Sequence, residues 1–167
     1  SRDLAQSRIR LGIVQEMRGD LTGAEKTIEL AQDAMAPLRK SDAQNIMFKV
    51  DVLTTDFERA RLQVLEGKSR DAEKQMSRVI KGFDDLHSEA DVGPGMGAMY
   101  TWLGEAQFRG HRYEQALKSY EKAAKTMEKD VQYDDGRCGI ATDYVRKGDI
   151  YLEMNRLPEA ESAYKTV

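Results

Sequence analysis

A single cysteine, Cys138, leaves no partner for an internal disulfide, so a reducing compartment is expected, with the cytoplasm as the default location. Prolines are scarce as well. Only Pro37, Pro94 and Pro158 occur in 167 residues, so long stretches are free of helix breakers. No apolar run approaches the roughly 20 residues that a membrane-spanning helix needs. The opening SRDLAQSRIR also lacks the hydrophobic centre of a signal peptide. Basic excess is absent too: a net charge of -3 gives little surface with which to displace counterions from phosphates, which argues against nucleic acid as a partner. What is present is a hydrophobic share of 40% and a charged share of 33%, the composition of a water-soluble, helix-rich chain. The first residue is Ser1 and not Met, so the sequence reads as a piece of a longer protein.

The residues that carry chemistry are equally sparse. His111 falls in a turn and reads as a solvated loop residue, and His87, late in a helix, as a cation near the C-terminal dipole. Neither has a cysteine or carboxylate at the helical spacing of a metal pair. Cys138 beside Gly139 has no histidine nearby in sequence to activate it. Asp134-Asp135-Gly136 lacks the alternating acids of a calcium loop and reads as a turn before the seventh helix. No glycine-rich phosphate loop occurs, and the eight methionines fall mostly on helical stripes, as core filler does. The expectation is that this stretch is not an enzyme and holds no metal or cofactor, with the activity of the full-length protein left open.

Order appears when the chain is laid on itself. The segments RIRLGIVQEMRGDLTGAEKTIELA, DFERARLQVLEGKSRDAEKQMSRV, YTWLGEAQFRGHRYEQALKSYEKA and YVRKGDIYLEMNRLPEAESAYKTV align on two small residues. The first recurs at Gly12, Ala60, Gly104 and Gly148, the second at Ala24, Ala72, Ala116 and Ala160, always 12 further on (24−12, 72−60, 116−104, 160−148). A bulky residue follows four after the second: Ile28, Met76, Tyr120 and Tyr164. Two helices whose axes approach to about 8 Å must meet through Gly or Ala, so each segment reads as an antiparallel hairpin with the small pair at its seam. Turns are marked by Gly19-Asp20, Gly67-Lys68, Gly110-His111 and Met154-Asn155, since Gly and Asn end helices in the left-handed conformation. Thr22, Ser69 and Leu157-Pro158 supply helix starts. Leu11, Val14 and Met17, like Leu117, Tyr120 and Ala124, are spaced as buried stripes. Eight helices are expected, at about 2–18, 22–38, 43–66, 70–88, 96–109, 113–130, 137–153 and 158–166, with no sheet. Residues 90–95, Ala90-Asp91-Val92-Gly93-Pro94-Gly95, read as loop.

Tyr100-x-x-Leu103-Gly104 followed by Ala116-x-x-x-Tyr120 resembles the tetratricopeptide (TPR) pattern, and Tyr144, Gly148, Tyr151, Ala160 and Tyr164 match nearly as well. The first segment keeps Leu11-Gly12 but has Arg8 in the aromatic slot, and the second departs most, with Asp56 and Arg59-Ala60. The spacing departs as well: the first small residues lie 48, 44 and 44 apart (60−12, 104−60, 148−104), against about 34 in the family. Such stretched repeats are similar to those of bacterial signalling proteins, where an array accompanies a serine/threonine kinase or a DNA-binding domain.

The resemblance implies an all-α fold, a right-handed α-solenoid of four TPR-like antiparallel hairpins in a single array over residues 1–167, with units at about 2–40, 42–89, 96–130 and 137–167. It implies a scaffold whose first helices line a concave groove for a peptide or protein; a regulatory sensor domain of a larger signalling protein is the alternative. Mapped onto this sequence, the groove positions are Ile9, Arg10, Ile13 and Met17; Phe57, Arg61 and Val64; Trp102, Glu105 and Phe108; and Val145, Arg146 and Asp149. Trp102 is the strongest candidate, with Phe57 and Arg146 as expected neighbours. Arg10, Arg61 and Arg146 can pair with a partner's carboxylates or with acids of adjacent helices. Family members that grip a chaperone's C-terminal carboxylate use a Lys and two Asn where this chain has Ile9, Ile13 and Phe57 or Arg61, so that ligand is not expected. An uncapped fourth hairpin at Val167 makes self-association a further expectation.

Overall fold

The computed structural model describes residues 2–41, 45–87, 95–128 and 134–166. Among them are eight α-helices and no strand: α1 (Arg2–Met17), α2 (Leu21–Ser41), α3 (Ile46–Leu65), α4 (Ser69–His87), α5 (Met96–Arg109), α6 (Tyr113–Met127), α7 (Asp134–Glu153) and α8 (Leu157–Lys165). They form the four hairpins α1/α2, α3/α4, α5/α6 and α7/α8 of an all-α, solenoid-class repeat fold. The chain resolves into two compact units, 1–92 and 93–167, of two hairpins each. In the first, α2 packs on α3 and α1 reaches α3; in the second, α6 packs on α7 and α5 reaches α7.

The four turns repeat one backbone design. Residues Gly19, Gly67, His111 and Asn155 take the left-handed conformation, with φ of 81, 78, 58 and 57°. The next N–H in each, from Asp20, Lys68, Arg112 and Arg156, donates back to the carbonyl of Gln15, Gln63, Gln107 and Tyr151 at 2.8–2.9 Å. This bond caps the first helix and sets where the second begins. In the third turn the left-handed residue is His111, and Gly110 keeps a negative φ of -85°.

The seams lie where the small residues recur. Ala24, Ala60, Ala72 and Ala116 are fully buried, Ala160 nearly so, and Gly12, Gly104 and Gly148 are buried as well. A Cβ added to Gly12 would come within 2.9 Å of Ile28, to Gly104 within 3.0 Å of the Tyr120 ring, and to Gly148 within 2.3 Å of the Tyr164 ring. In these three hairpins the bulky residue four after the alanine is therefore what the glycine of the first helix admits.

Several local expectations are corrected. Leu11, Val14 and Met17 are not a buried stripe; they are 52%, 48% and 82% exposed. The buried register of α1 runs instead through Ala5 and Gly12, with Ile9 half-buried between them, and Leu11 stays exposed among the described residues. By contrast Leu117, Tyr120 and Ala124 are buried as expected. Asp20, not Thr22, caps α2: its Oδ1 accepts the Gly23 N–H at 2.8 Å. Asn45 begins α3 by accepting from the N–H groups of Met47 and Phe48 at 3.0 and 3.4 Å. Asp134-Asp135-Gly136 belongs to the first turn of α7, not to a preceding turn. Of the 90–95 loop only Gly95 is among the described residues, in the turn before α5; Val167 lies outside them.

Candidate functional site

The first helices α1 and α3 carry the groove positions of the first unit. Ile9 packs on the cluster of Ala24, Ile28 and Leu62, Ile13 and Phe57 are half-buried, and Arg10 and Met17 are exposed. Val64 is fully buried and belongs to the core. Arg61 spans from α3 to Glu16 of α1 and also holds Glu58 at 3.0 Å. Burial pushes the Glu58 carboxyl up, against the opposing pull of Arg61. Of the two pairings open to Arg61, the structure makes the one between adjacent helices.

In the second unit the corresponding positions form a hydrogen-bonded network. Glu105, only 8% exposed, accepts from the Tyr120 hydroxyl at 3.0 Å and from Arg109 Nε at 2.6 Å. Arg146 of α7 lies 3.4 Å from the same carboxylate and donates to Asp149 at 3.3 Å. The Tyr164 hydroxyl donates to Asp149 at 2.8 Å. Burial, with Glu105 alongside, pushes the Tyr120 hydroxyl far up, so it stays a donor. The network thus joins α5, α6, α7 and α8 through Glu105, Arg146 and Asp149, and Glu105 faces packing, not an open side. Trp102 is half-buried on α5, three residues before Glu105, and Val145 is 39% exposed beside Arg146. Phe108 packs on the cluster of Ala116, Leu117, Tyr120 and Ile150, its ring 6.0 Å from that of Tyr113. Phe57 lies in the first unit and Trp102 in the second, and each is placed only within its own unit.

Sequence reasoning missed three participants: Asp143, Thr101 and the tyrosine hydroxyls. Asp143 of α7 is fully buried; its Oδ1 accepts from Thr101 at 2.8 Å, and its Oδ2 has no hydrogen-bond partner among the described residues. Burial pushes this carboxyl from the ordinary 3.8 to about 7, with Thr101 and Lys147 opposing. The hydroxyl pairs had a legible signal. Tyr120 and Tyr164 each reach an acid 15 residues back (120−105, 164−149), and the same slots of the first hairpin hold Ile28 and Ile13. Tyrosine and acid appear together or not at all in those hairpins.

Among the described residues no cluster of His, Cys, Asp and Glu could hold a metal ion, and no helix is long and apolar enough to cross a membrane. Cys138 is exposed, and His111 Nδ1 lies 3.0 Å from the Tyr113 hydroxyl.

The family model described as tetratricopeptide repeat matches residues 57–130. No curated protein is matched in sequence. One solved structure similar in fold is that of BtubC (BKLC) from P. vanneervenii, with a TM-score of 0.76 and 19% identity, covering 99% of this chain. This chain spans 63% of that one. Tetratricopeptide repeats in general bind other proteins and are not catalytic.

Proposed function

We propose that these tetratricopeptide hairpins form a non-catalytic scaffold that holds a peptide or protein on the open side of their first helices, with Trp102 as the principal contact. The observation that carries the reading is the half-exposed Trp102 on α5, three residues before Glu105 and its acid–base network. The side chain of Arg146 is 40% exposed while its partner Glu105 is 10% exposed, so the guanidinium is the accessible end of the pair. A ligand with one apolar and one acidic side chain suits this pairing of indole and guanidinium. The network needs no reordering to receive it, which lowers the entropic cost of binding. In the first unit the accessible counterparts are Arg10, Ile13 and Phe57. The cytoplasm is the proposed location, consistent with the single cysteine.

A second reading is a sensor array within a larger signalling protein that also carries a kinase or DNA-binding domain. The 44–48-residue spacing of the hairpins favours it.

Trp102 is the chain's single tryptophan, so its emission reports directly on the site. Titration with acidic–apolar peptides is expected to shift that emission. Trp102→Ala is expected to weaken binding by about 2 kcal/mol, roughly 30-fold, with helicity unchanged by circular dichroism. Peptides that bind Trp102→Ala as tightly as the parent would remove the site from α5.

A further inference from the structure

The second helix of the second hairpin presents two unlike sides. Ala72, Met76, Val79, Phe83 and Leu86 of α4 are buried. Opposite them Arg70, Lys74, Arg78 and Lys81 recur at spacings of four, four and three (74−70, 78−74, 81−78), and all are exposed. The row is about 16 Å long at 1.5 Å per residue. Its exposure is a property of the repeat position. The same positions are Thr22, Lys26, Leu30 and Asp33 on α2 (48 earlier) and Glu114, Lys118, Lys122 and Lys125 on α6 (44 later). Every one of these is exposed, although α3 packs on α2 and α7 packs on α6. A hairpin stacked after α4 therefore leaves the row open.

The row also lacks what the chain supplies to other bases. Lys68, just before α4, pairs with Glu25 and Glu66, while Lys125 and Lys165 each pair with an acid four residues back, Glu121 and Glu161. None of the α4 bases Arg70, Lys74, Arg78 and Lys81 pairs with an acid among the described residues. Instead Arg70 and Lys74, Lys74 and Arg78, and Arg78 and Lys81 are like-charged neighbours on one face, an arrangement that weakens a helix on its own. An anion laid along the row relieves every one of these repulsions at once.

The width of the row selects the anion. Asp71 on one edge and Asp84 on the other are exposed acids, and Asp85 stands in line with the row, four after Lys81. Between the edges lies Ser77 and no apolar side chain. A bilayer or a duplex would lay phosphates over these acids as well, and lipid would find nothing apolar to take up. A single narrow segment meets only the bases. We propose that α4 docks an acidic helix of a second protein, whose carboxylates recur every three or four residues and meet the bases in turn. This surface is separate from Trp102, which belongs to the other unit, and does not depend on what the first helices hold.

The test uses the 167-residue chain and a fluorescein-labelled, alanine-based peptide of about 15 residues with glutamates at that spacing, read by anisotropy. Binding is expected at low ionic strength and is expected to weaken as salt rises. Lys74→Glu/Arg78→Glu is expected to weaken it about tenfold or more. Lys26→Glu/Lys118→Glu, an equal change of charge at exposed positions elsewhere, is expected to leave it within about twofold. Trp102→Ala is expected to bind the peptide like the parent. Lys74→Glu alone is expected to melt no lower than the parent, because two repulsions along α4 become attractions. A parent that ignores the peptide, or an equal loss in both double variants, would overturn the proposal. So would a loss in Trp102→Ala, which would seat the peptide on α5, or a lower melting temperature for Lys74→Glu, which would make the base a structural one. Tighter binding of duplex DNA or phosphatidylserine vesicles than of the peptide, lost in Lys74→Glu/Arg78→Glu, would hand the row to phosphates and overturn it too.

Discussion

Gly12, Gly104 and Gly148 occupy one repeat position but meet different neighbours, and the difference decides what an added methyl does. Alanine is favoured over glycine in a helix by about 1 kcal/mol. At Gly12 the new Cβ would meet Ile28 Cδ1 at 2.9 Å, and although Ile28 is buried this terminal methyl can turn about its last side-chain bond, which a ring atom cannot. At Gly104 it would meet three atoms of the Tyr120 ring at 3.0 Å, and that ring is fully buried and tied to Glu105 by its hydroxyl. Gly104→Ala is therefore expected to destabilise by about 1–2 kcal/mol, overpacking outweighing propensity, while Gly12→Ala stays close to the parent in urea denaturation. A destabilised Gly12→Ala beside an unaffected Gly104→Ala would reverse the ranking. Asp143 supplies the pH dependence. Its folded pKa is raised from 3.8 to about 7, so the stability tied to its protonated form is complete below about pH 3.8 and is lost as pH rises through 7. Between pH 5.5 and 8 the melting temperature of the parent is expected to fall, and that of Asp143→Asn to stay level, because asparagine keeps an acceptor for Thr101 and has no charge to bury. An equal fall in both would assign the effect to another group.

At the scale of the helix, the sequence marks centres better than ends. Seams were legible because a close helix crossing tolerates only Gly or Ala, and that steric demand repeats at fixed spacing whatever surrounds it. Ends were less legible because several residues near each can cap. Thr22 and Asp20 both have a suitable oxygen, and only the backbone path shows that Asp20 reaches an N–H. Asn45 was missed because the stretch from residue 43 to 66 holds no Gly or Pro, so composition alone gave no reason to begin the helix later. Its side chain accepts two N–H groups at the start of α3, so Asn45→Ala is expected to cost about 1 kcal/mol, read as an earlier thermal transition. No change would show that water serves those N–H groups equally well. The exposed Leu11 and Val14 carry the complementary lesson. Spacing by three and four marks an apolar side of a helix, but it does not say what covers that side.

For the whole molecule, the repeat made the fold class and the hairpin pairing readable, because each hairpin contact is local in sequence. The candidate site was readable only in part. Glu105, Arg146 and Asp149 were singled out singly, yet their meeting depends on how α7 settles on α5 and α6, which no local spacing encodes. The same dependence gives the molecule a way to report on itself. Trp102, the single tryptophan, lies in the second unit, so its emission follows the unfolding of residues 93–167, whereas circular dichroism follows all eight helices. Gly104→Ala strains a seam within that unit. It is expected to move the Trp102 transition to lower urea by more than it moves the circular dichroism transition, because the latter averages over both units. Equal displacement of both signals would mean that all four hairpins unfold as one cooperative block.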